Sequence, residues 1–161
     1  MTEITNIIDE LQREHSGEPW HGSPLRQILK GITAADAAAR PVPNGHSIWE
    51  LVLHMTGWKN EVAKRLSGAT ASDPEGGDWP AVGETTDEAW RKALAGLERA
   101  HTELVAGIRR FPEAKLAEPH SDPRAPGGKG VSYYVLLHGI VQHDVYHAGQ
   151  IALLKRARSN P

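Results

Sequence analysis

Residues 143–156 read HDVYHAGQIALLKR, and this stretch carries two histidines, His143 and His147, four positions apart. At about 100° per residue, a helix places both imidazoles on the same side, one turn apart. The other residues within about 60° of His143 are apolar or uncharged: Leu136, Ile140, Gln150 and Leu154. We therefore predict a helix that turns the histidine pair towards the protein core, where both rings can reach one metal ion.

Helical periodicity and breaker-rich connections extend this pattern over the whole chain. The spacing predicts long helices over 5–14, 47–66, 85–110 and 132–157, with a short helix over 24–30. Ser47 with Glu50, and Thr85 with Glu88, have the spacing of capping boxes, and Ser23 precedes a proline suited to a first helical position. Strand signals are weak. We predict one all-α domain over residues 1–161, a four-helix bundle with long loops between helices 2 and 3 and helices 3 and 4.

Composition restricts the function. The 161 residues include 24% charged residues, a formal net charge of -2 and no cysteine. Nucleic acid and anionic membranes are poor partners, because no basic stripe is visible. Without cysteine, any metal must be held by imidazole or carboxylate groups. With no secretory signal and no apolar stretch long enough for a membrane span, we expect a cytoplasmic protein.

A third histidine points to the same interior. In the second long helix Ser47, Leu51, His54, Trp58 and Glu61 share one face. A single inward histidine is usually a hydrogen-bonded core residue. Three unpartnered imidazoles are costly to bury, however, and a shared metal removes that cost. The spacing therefore predicts an open site for one divalent ion on His54, His143 and His147, with Zn²⁺ favoured and Ni²⁺ as the alternative.

Several other residues are candidates for the same site. Glu61 is a possible general base, although it could simply lie in solvent at the end of the bundle, and Gln150 could orient a ligand or only bridge helices. Trp58 could wall a pocket as well as pack in the core. His101, on the apolar face of the third long helix, is either a fourth ligand or second-layer partner, or, more commonly, a core histidine. Trp20 and His21 would join the pocket only if their segment folds over the bundle end.

Four stretches of the chain together resemble one family. LVLHMTGW (51–58) and HDVYHAGQIALLKR (143–156) are similar to the histidine-bearing helices of the DinB-like family, also called the YfiT-like metal-dependent hydrolases. PWHGSPLRQILKGI (19–32) and HSIWEL (46–51) resemble stretches common in one branch of that family. The resemblance covers nearly the whole chain apart from its variable loops.

The resemblance implies a fold and a chemistry. It implies an up-down-down-up four-helix bundle, usually dimeric, whose metal is held by residues that match His54, His143 and His147. Relatives of known activity act on low-molecular-weight thiols and include bacillithiol S-transferases and mycothiol-dependent isomerases. It therefore implies small-molecule thiol and electrophilic substrates and a role in detoxification.

Three functions remain open from the sequence. The first is a metal-dependent transferase that joins a low-molecular-weight thiol to an electrophile. The second is a hydrolase that uses a metal-activated water in the same site. The third is a non-catalytic, stress-associated module in which the ion stabilises the bundle. A fourth metal position closed by a protein group would favour this function. The last helix is apolar nearly all round from Val131 to Val141, which suits either the bundle centre or a homodimer face.

Overall fold

The computed structural model describes residues 2–159, with Ser159 described by its backbone alone. Within this range the chain forms six α-helices: α1 (Glu3–Ser16), α2 (Leu25–Leu29), α3 (Ala34–Ala38), α4 (Ile48–Leu66), α5 (Asp87–Arg110) and α6 (Tyr133–Ser159). Two short strands, β1 (Pro119–Ser121) and β2 (Lys129–Ser132), pair antiparallel just before α6. The prediction of an all-α fold is confirmed. The sequence did not predict this two-stranded ribbon.

The four long helices form the bundle. Helix α4 packs against α5 and α6, and α1 packs against the same two helices. Trp49 at the start of α4 lies beside Trp90 at the start of α5, with ring centroids 5.1 Å apart. Leu66 at the end of α4 lies close to Gly107 near the end of α5. Helices α4 and α5 therefore run parallel, which requires the long connection between them.

Two further contacts give the direction of the other helices. The Tyr133 hydroxyl at the start of α6 donates to the backbone oxygen of Arg65 at the end of α4, at 3.3 Å. His138 Nε2, also early in α6, lies 2.9 Å from Oε1 of Glu3 at the start of α1. Helix α6 thus runs antiparallel to α4 and parallel to α1, so the bundle has up-down-down-up topology. His138 has a structural role between α1 and α6.

Helix starts follow local capping chemistry, with shifts of one residue. The capping box at Ser47 and Glu50 is confirmed: Ser47 Oγ accepts from Glu50 N at 3.2 Å, and Glu50 Oε2 accepts from Ser47 N at 2.7 Å. This box fixes where α4 begins and hence the direction of His54. The capping box predicted at Thr85 and Glu88 is wrong, because Thr86 is the N-cap and accepts from the backbone N–H of Ala89.

The short helices were predicted less well. Pro24, not Ser23, is the N-cap of α2, because the backbone of Pro24 is still extended. No side-chain hydrogen bond caps this helix. Helix α3 was not predicted at all, since five residues are too few for helical periodicity to show. Its start is nonetheless fixed by a capping box between Thr33 and Asp36.

The core has two apolar parts with a polar layer between them. One part is centred on Trp49, Met55, Trp90, Leu97 and Ile151, and the other on Ile7, Val62, Leu104, Leu137 and Ile140. Along α4, α5 and α6, buried polar residues separate the two parts: Lys59, His101 and Asp144. The buried face of α6 is rotated to one side of the stripe that the sequence predicted. The His143 side chain, 24% exposed, therefore lies at the edge of the buried face. No helix within residues 2–159 is long and apolar enough to cross a membrane.

Candidate metal centre

Three histidines from two helices converge at one point of the bundle. His54 on α4 and His143 and His147 on α6 each place one ring nitrogen within 4.8 Å of the others. The Nε2 atoms of His54 and His143 are 2.9 Å apart. Two nitrogens bound to a tetrahedral zinc at about 2.1 Å lie roughly 3.4 Å apart, so this spacing suits one small divalent ion.

The opposite nitrogens of two of these rings face hydrogen-bond acceptors. His54 Nδ1 lies 2.6 Å from the backbone oxygen of Asp78, and His147 Nδ1 lies 2.6 Å from Oε1 of Gln150. Both oxygens accept, so each Nδ1 carries the proton and each Nε2 keeps a lone pair. Lone pairs that face one another without a proton between them repel. A cation at the centre supplies the missing charge, and the donor set therefore fits a metal ion.

The third ring has a matching acceptor that it does not quite reach. His143 Nδ1 is 3.8 Å from Oδ1 of Asp144. Both atoms are buried, and neither has a hydrogen-bond partner. The pair is complementary, because a neutral imidazole whose Nε2 faces the centre has a proton to donate at Nδ1. All three rings thus present Nδ1 to an oxygen and Nε2 to the common point.

Burial keeps these imidazoles in the form that binds metals. His54 and His147 are each only 5% exposed. Burial lowers the pKa of His147 to about 4, although the hydrogen bond to Gln150 partly opposes the shift. Burial also lowers the pKa of His54, against the effect of the Asp78 backbone. Both rings are therefore neutral at pH 7, as metal ligation requires.

Comparison with known proteins identifies the family of this bundle. A family model described as the DinB superfamily matches residues 20–151. The chain belongs to the DinB superfamily. The structure also resembles the crystal structure of a conserved protein from Enterococcus faecalis, with a TM-score of 0.71 and 18% sequence identity over 98% of this chain and 97% of that one. That likeness supports the fold alone. A separate comparison with curated proteins found no match to the chain.

The loop between α4 and α5 completes the site of this DinB-superfamily chain, although the sequence predicted only a long loop there. The ring of Trp79 stacks on His54, with centroids 3.9 Å apart, and its other face stacks on His46 at 3.5 Å. Asp78 accepts from Trp58 Nε1 at 2.8 Å through its carboxylate. The loop therefore shields and orients His54. A signal was present in its length, since loops longer than about 12–15 residues are often functional.

His101 does not join the metal centre. Its ring stacks on His15 of α1 instead, with centroids 3.8 Å apart and an interplanar angle of 8°. Burial, with His15 beside it, lowers the pKa of His101 to about 3. The structure thus places His101 in the core as a neutral ring, which matches the favoured interpretation of a core histidine rather than the alternative of a fourth ligand.

Glu61 is also not available as a general base. It is 2% exposed, which corrects the alternative that it lies in solvent. Its Oε1 accepts from Arg65 Nε at 3.2 Å and from the backbone N–H of Ser72 at 2.9 Å, and Oε2 accepts from the Ser72 hydroxyl at 3.3 Å. These bonds tie the loop that follows α4 to the bundle, so the role of Glu61 is to hold that loop in place.

The segment with Trp20 and His21 lies away from the three histidines. Trp20 is fully exposed, and His21 lines a surface groove against the outer side of α6, beside Val145 and Gly149. Neither residue belongs to the three-histidine cluster. Trp58, by contrast, lies in edge contact with the ring of His143, at a centroid distance of 6.4 Å.

A buried ion pair adjoins the metal centre. Lys59 on α4 donates to Oδ2 of Asp144, and both side chains are completely buried. Burial raises the pKa of Asp144, but Lys59 and His143 together outweigh burial and hold this pKa below its ordinary value. Asp144 therefore stays ionised, with one oxygen on Lys59 and the other facing His143. The ion pair therefore connects the packing of α4 against α6 to the orientation of His143, a candidate metal ligand.

Glu14 of α1 belongs to the same polar layer. It is 2% exposed and neither carboxylate oxygen has a hydrogen-bond partner. Burial, reinforced by the nearby Asp144 charge, raises the pKa of Glu14 to about 8, with Lys59 acting in the opposite direction. Glu14 is therefore protonated at neutral pH, and the buried charges of Lys59 and Asp144 balance each other.

As pH rises, we expect the free energy of unfolding of the unmodified protein to fall relative to that of the Glu14→Gln variant. Since the folded pKa of Glu14 exceeds the unfolded one, the folded protein holds an extra proton between about pH 4.5 and 8. Its free energy of unfolding loses up to about 1.4 kcal/mol per pH unit from this group across that window. Glutamine does not titrate, so the variant lacks this contribution to the pH dependence of stability. Urea unfolding of both proteins at about pH 5 and about pH 7.5 measures the effect, and a stability difference that does not change with pH would contradict it.

Proposed function

We propose that this DinB-superfamily chain is a divalent-metal-dependent transferase that joins a low-molecular-weight thiol to an electrophile. The observation that supports it most is the three-histidine centre, for which residues 2–159 offer no fourth histidine, aspartate or glutamate. Three protein ligands with an open position are typical of catalytic zinc sites, whereas structural sites are closed. A bound divalent ion supplies the charge that lowers the pKa of a coordinating thiol, and Zn²⁺ suits three imidazoles best, with Ni²⁺ as the alternative.

Each residue around the centre has a distinct role in this proposal. His54, His143 and His147 hold the ion. Gln150 and the Asp78 backbone keep two of the rings in the required tautomer, as outer-layer partners of metal ligands do. The thiol arrives with the substrate, because the chain has no cysteine. Since the carboxylate of Glu61 is engaged, no side chain of the centre is assigned as a general base.

Two alternatives use the same residues. A hydrolase would place water in the open position of the centre. A non-catalytic module would need that position closed by a protein group. Neither His101 nor a carboxylate lies within the cluster formed by the described residues, so the geometry favours the two catalytic functions.

A thiol screen tests the proposal. The metal-loaded chain is incubated with bacillithiol, glutathione, mycothiol or coenzyme A and the electrophile chlorodinitrobenzene, and formation of the aryl thioether is followed by its absorbance. We expect turnover with at least one thiol, lost after metal removal and in the His143→Ala variant. Turnover with none of the four would contradict the transferase, and hydrolysis of an activated ester under the same conditions would favour the hydrolase.

We also propose that the chain is a homodimer through the outer face of α6. Apolar side chains that are about half exposed or more follow this face and the strand before it: Val131, Tyr134, Val135, Tyr146 and Leu153. Several exposed apolar side chains along one helix favour an interaction site there. Sedimentation velocity should give about twice the chain mass of 17.6 kDa, and Leu153→Glu should shift the protein to monomer. A monomeric unmodified protein would contradict the dimer.

A further inference from the structure

An apolar cavity of about 240 Å³ opens beside the metal centre, between α4 and α6. We call this cavity the side pocket. Its walls are mainly aliphatic and aromatic side chains: Trp58, Val62, Val135, Leu136 and Ile140. Val135 and a further lining residue, Val131, also belong to the face proposed above for the homodimer. Gly139 leaves room in one wall, because a Cβ atom built there meets no atom within 4 Å.

The side pocket adjoins the three-histidine centre through one shared residue. His143 is one of its lining residues, and Nε2 of the same ring lies 2.9 Å from His54 Nε2. Gly139 precedes His143 by one helical turn, so both residues lie on the same side of α6. Because His143 belongs to both the centre and the cavity, we take the cavity as the space for the atoms that adjoin the reacting one.

The charge of the side pocket is compensated. Among the described residues that line it, Arg65 is the one lysine or arginine. Its guanidinium is already engaged: Nε donates to Glu61 at 3.2 Å and Nη2 to the backbone oxygen of Ser72 at 3.1 Å. The guanidinium also lies over the Trp58 ring, 5.8 Å from the centroid. Because the Glu61 carboxylate already balances the Arg65 charge, an ionic group entering the pocket would lose water without meeting an uncompensated opposite charge, which is costly.

Volume and wall chemistry together define the occupant. Pockets for drug-sized ligands measure about 300–1,000 Å³, so the side pocket accepts something smaller. We propose that it takes an uncharged apolar group, a short alkyl chain or a single aromatic ring, of the molecule whose reacting atom lies at the three-histidine centre. The proposal rests on the metal-binding function proposed above and adds a substrate class to it: small, apolar and uncharged next to the reacting atom.

Alkanethiol binding to the Co²⁺-loaded full chain tests this selectivity. Sulfur–cobalt charge-transfer absorption reports each dissociation constant without requiring turnover. From ethanethiol to hexanethiol, we expect the constant to fall by up to about fourfold per buried methylene until the pocket is full. Mercaptohexanoate, whose longer chain ends in a carboxylate, should bind at least about tenfold more weakly than hexanethiol.

A pair of glycine variants localises the effect. Gly139→Leu fills the side pocket and should remove the gain from longer chains while Co²⁺ affinity is unchanged. Gly149→Leu is the matched control: it lies on the same helix, also has open space around its Cβ, and lines a different groove. It should retain the dependence on chain length.

The possible failures are distinguishable. If Co²⁺ does not bind, the metal centre is wrong and the side-pocket proposal is overturned with it. If Co²⁺ and thiols bind but chain length has no effect, only the side-pocket proposal is overturned. If Gly139→Leu alters the sedimentation coefficient and leaves thiol affinity unchanged, a second copy of the chain covers the cavity, and the proposal is likewise overturned.

Discussion

The His143→Ala variant should lose the bound divalent ion, with metal content falling from about one equivalent per chain to none. His143 contributes one of three converging nitrogens, and its Nε2 lies 2.9 Å from that of His54. Removing it leaves two imidazoles, which hold an ion far more weakly. Metal analysis of protein purified without a histidine tag measures the stoichiometry.

The matched control is His138→Ala, on the same helix. His138 contacts Glu3, 2.9 Å away, and lies outside the three-histidine cluster. This variant should retain its metal, since it loses one imidazole but no ligand. Full metal content in His143→Ala would refute the ligand assignment.

Thermal unfolding provides a second measurement of the same site. An ion that binds only the folded state at about a hundred times its Kd stabilises that state by about 2.7 kcal/mol. For a chain of this size the melting temperature should rise by roughly 5–10 °C when metal is added to stripped protein. His143→Ala should show no such rise. An unchanged melting temperature of the unmodified protein at saturating metal would contradict a preformed centre.

The sequence predicted those features that depend on local spacing. The capping box at Ser47 and Glu50 could be read from four adjacent residues, and it determines the face on which His54 lies. His143 and His147 could be placed together because residues four apart on a helix share a side. Convergence of the two helices depends on how α4 and α6 pack, which local spacing does not determine.

The features that the sequence did not reveal depend on contacts between distant residues. Lys59 and Asp144 are 85 positions apart, and a charged residue on a helix is ordinarily expected to face solvent. Trp79 lies in a polar loop rich in glycine and proline, and nothing in its neighbours indicates that it stacks on His54. His101 was placed correctly on a buried face, but only the packing of α1 shows that its neighbour is His15.

The buried ion pair allows fold stability and site geometry to be separated experimentally. Lys59→Met should lower the free energy of unfolding by about 3–5 kcal/mol, because it leaves the Asp144 carboxylate buried without its cation. Both side chains are completely buried, so solvent cannot replace the lost partner. Urea unfolding of the metal-free proteins measures the loss, and an unchanged unfolding free energy would contradict the role of the pair.

The double variant Lys59→Met/Asp144→Leu should recover most of that stability, since replacing both partners with apolar residues removes the unpaired charge. It should nevertheless bind metal about 10–100-fold more weakly than the unmodified protein, because His143 Nδ1 loses the carboxylate that faces it at 3.8 Å. A refolded double variant with undiminished metal affinity would show that Asp144 does not position His143. The reverse result, stable protein with weakened binding, would show that the buried pair serves the metal centre rather than the stability of the bundle.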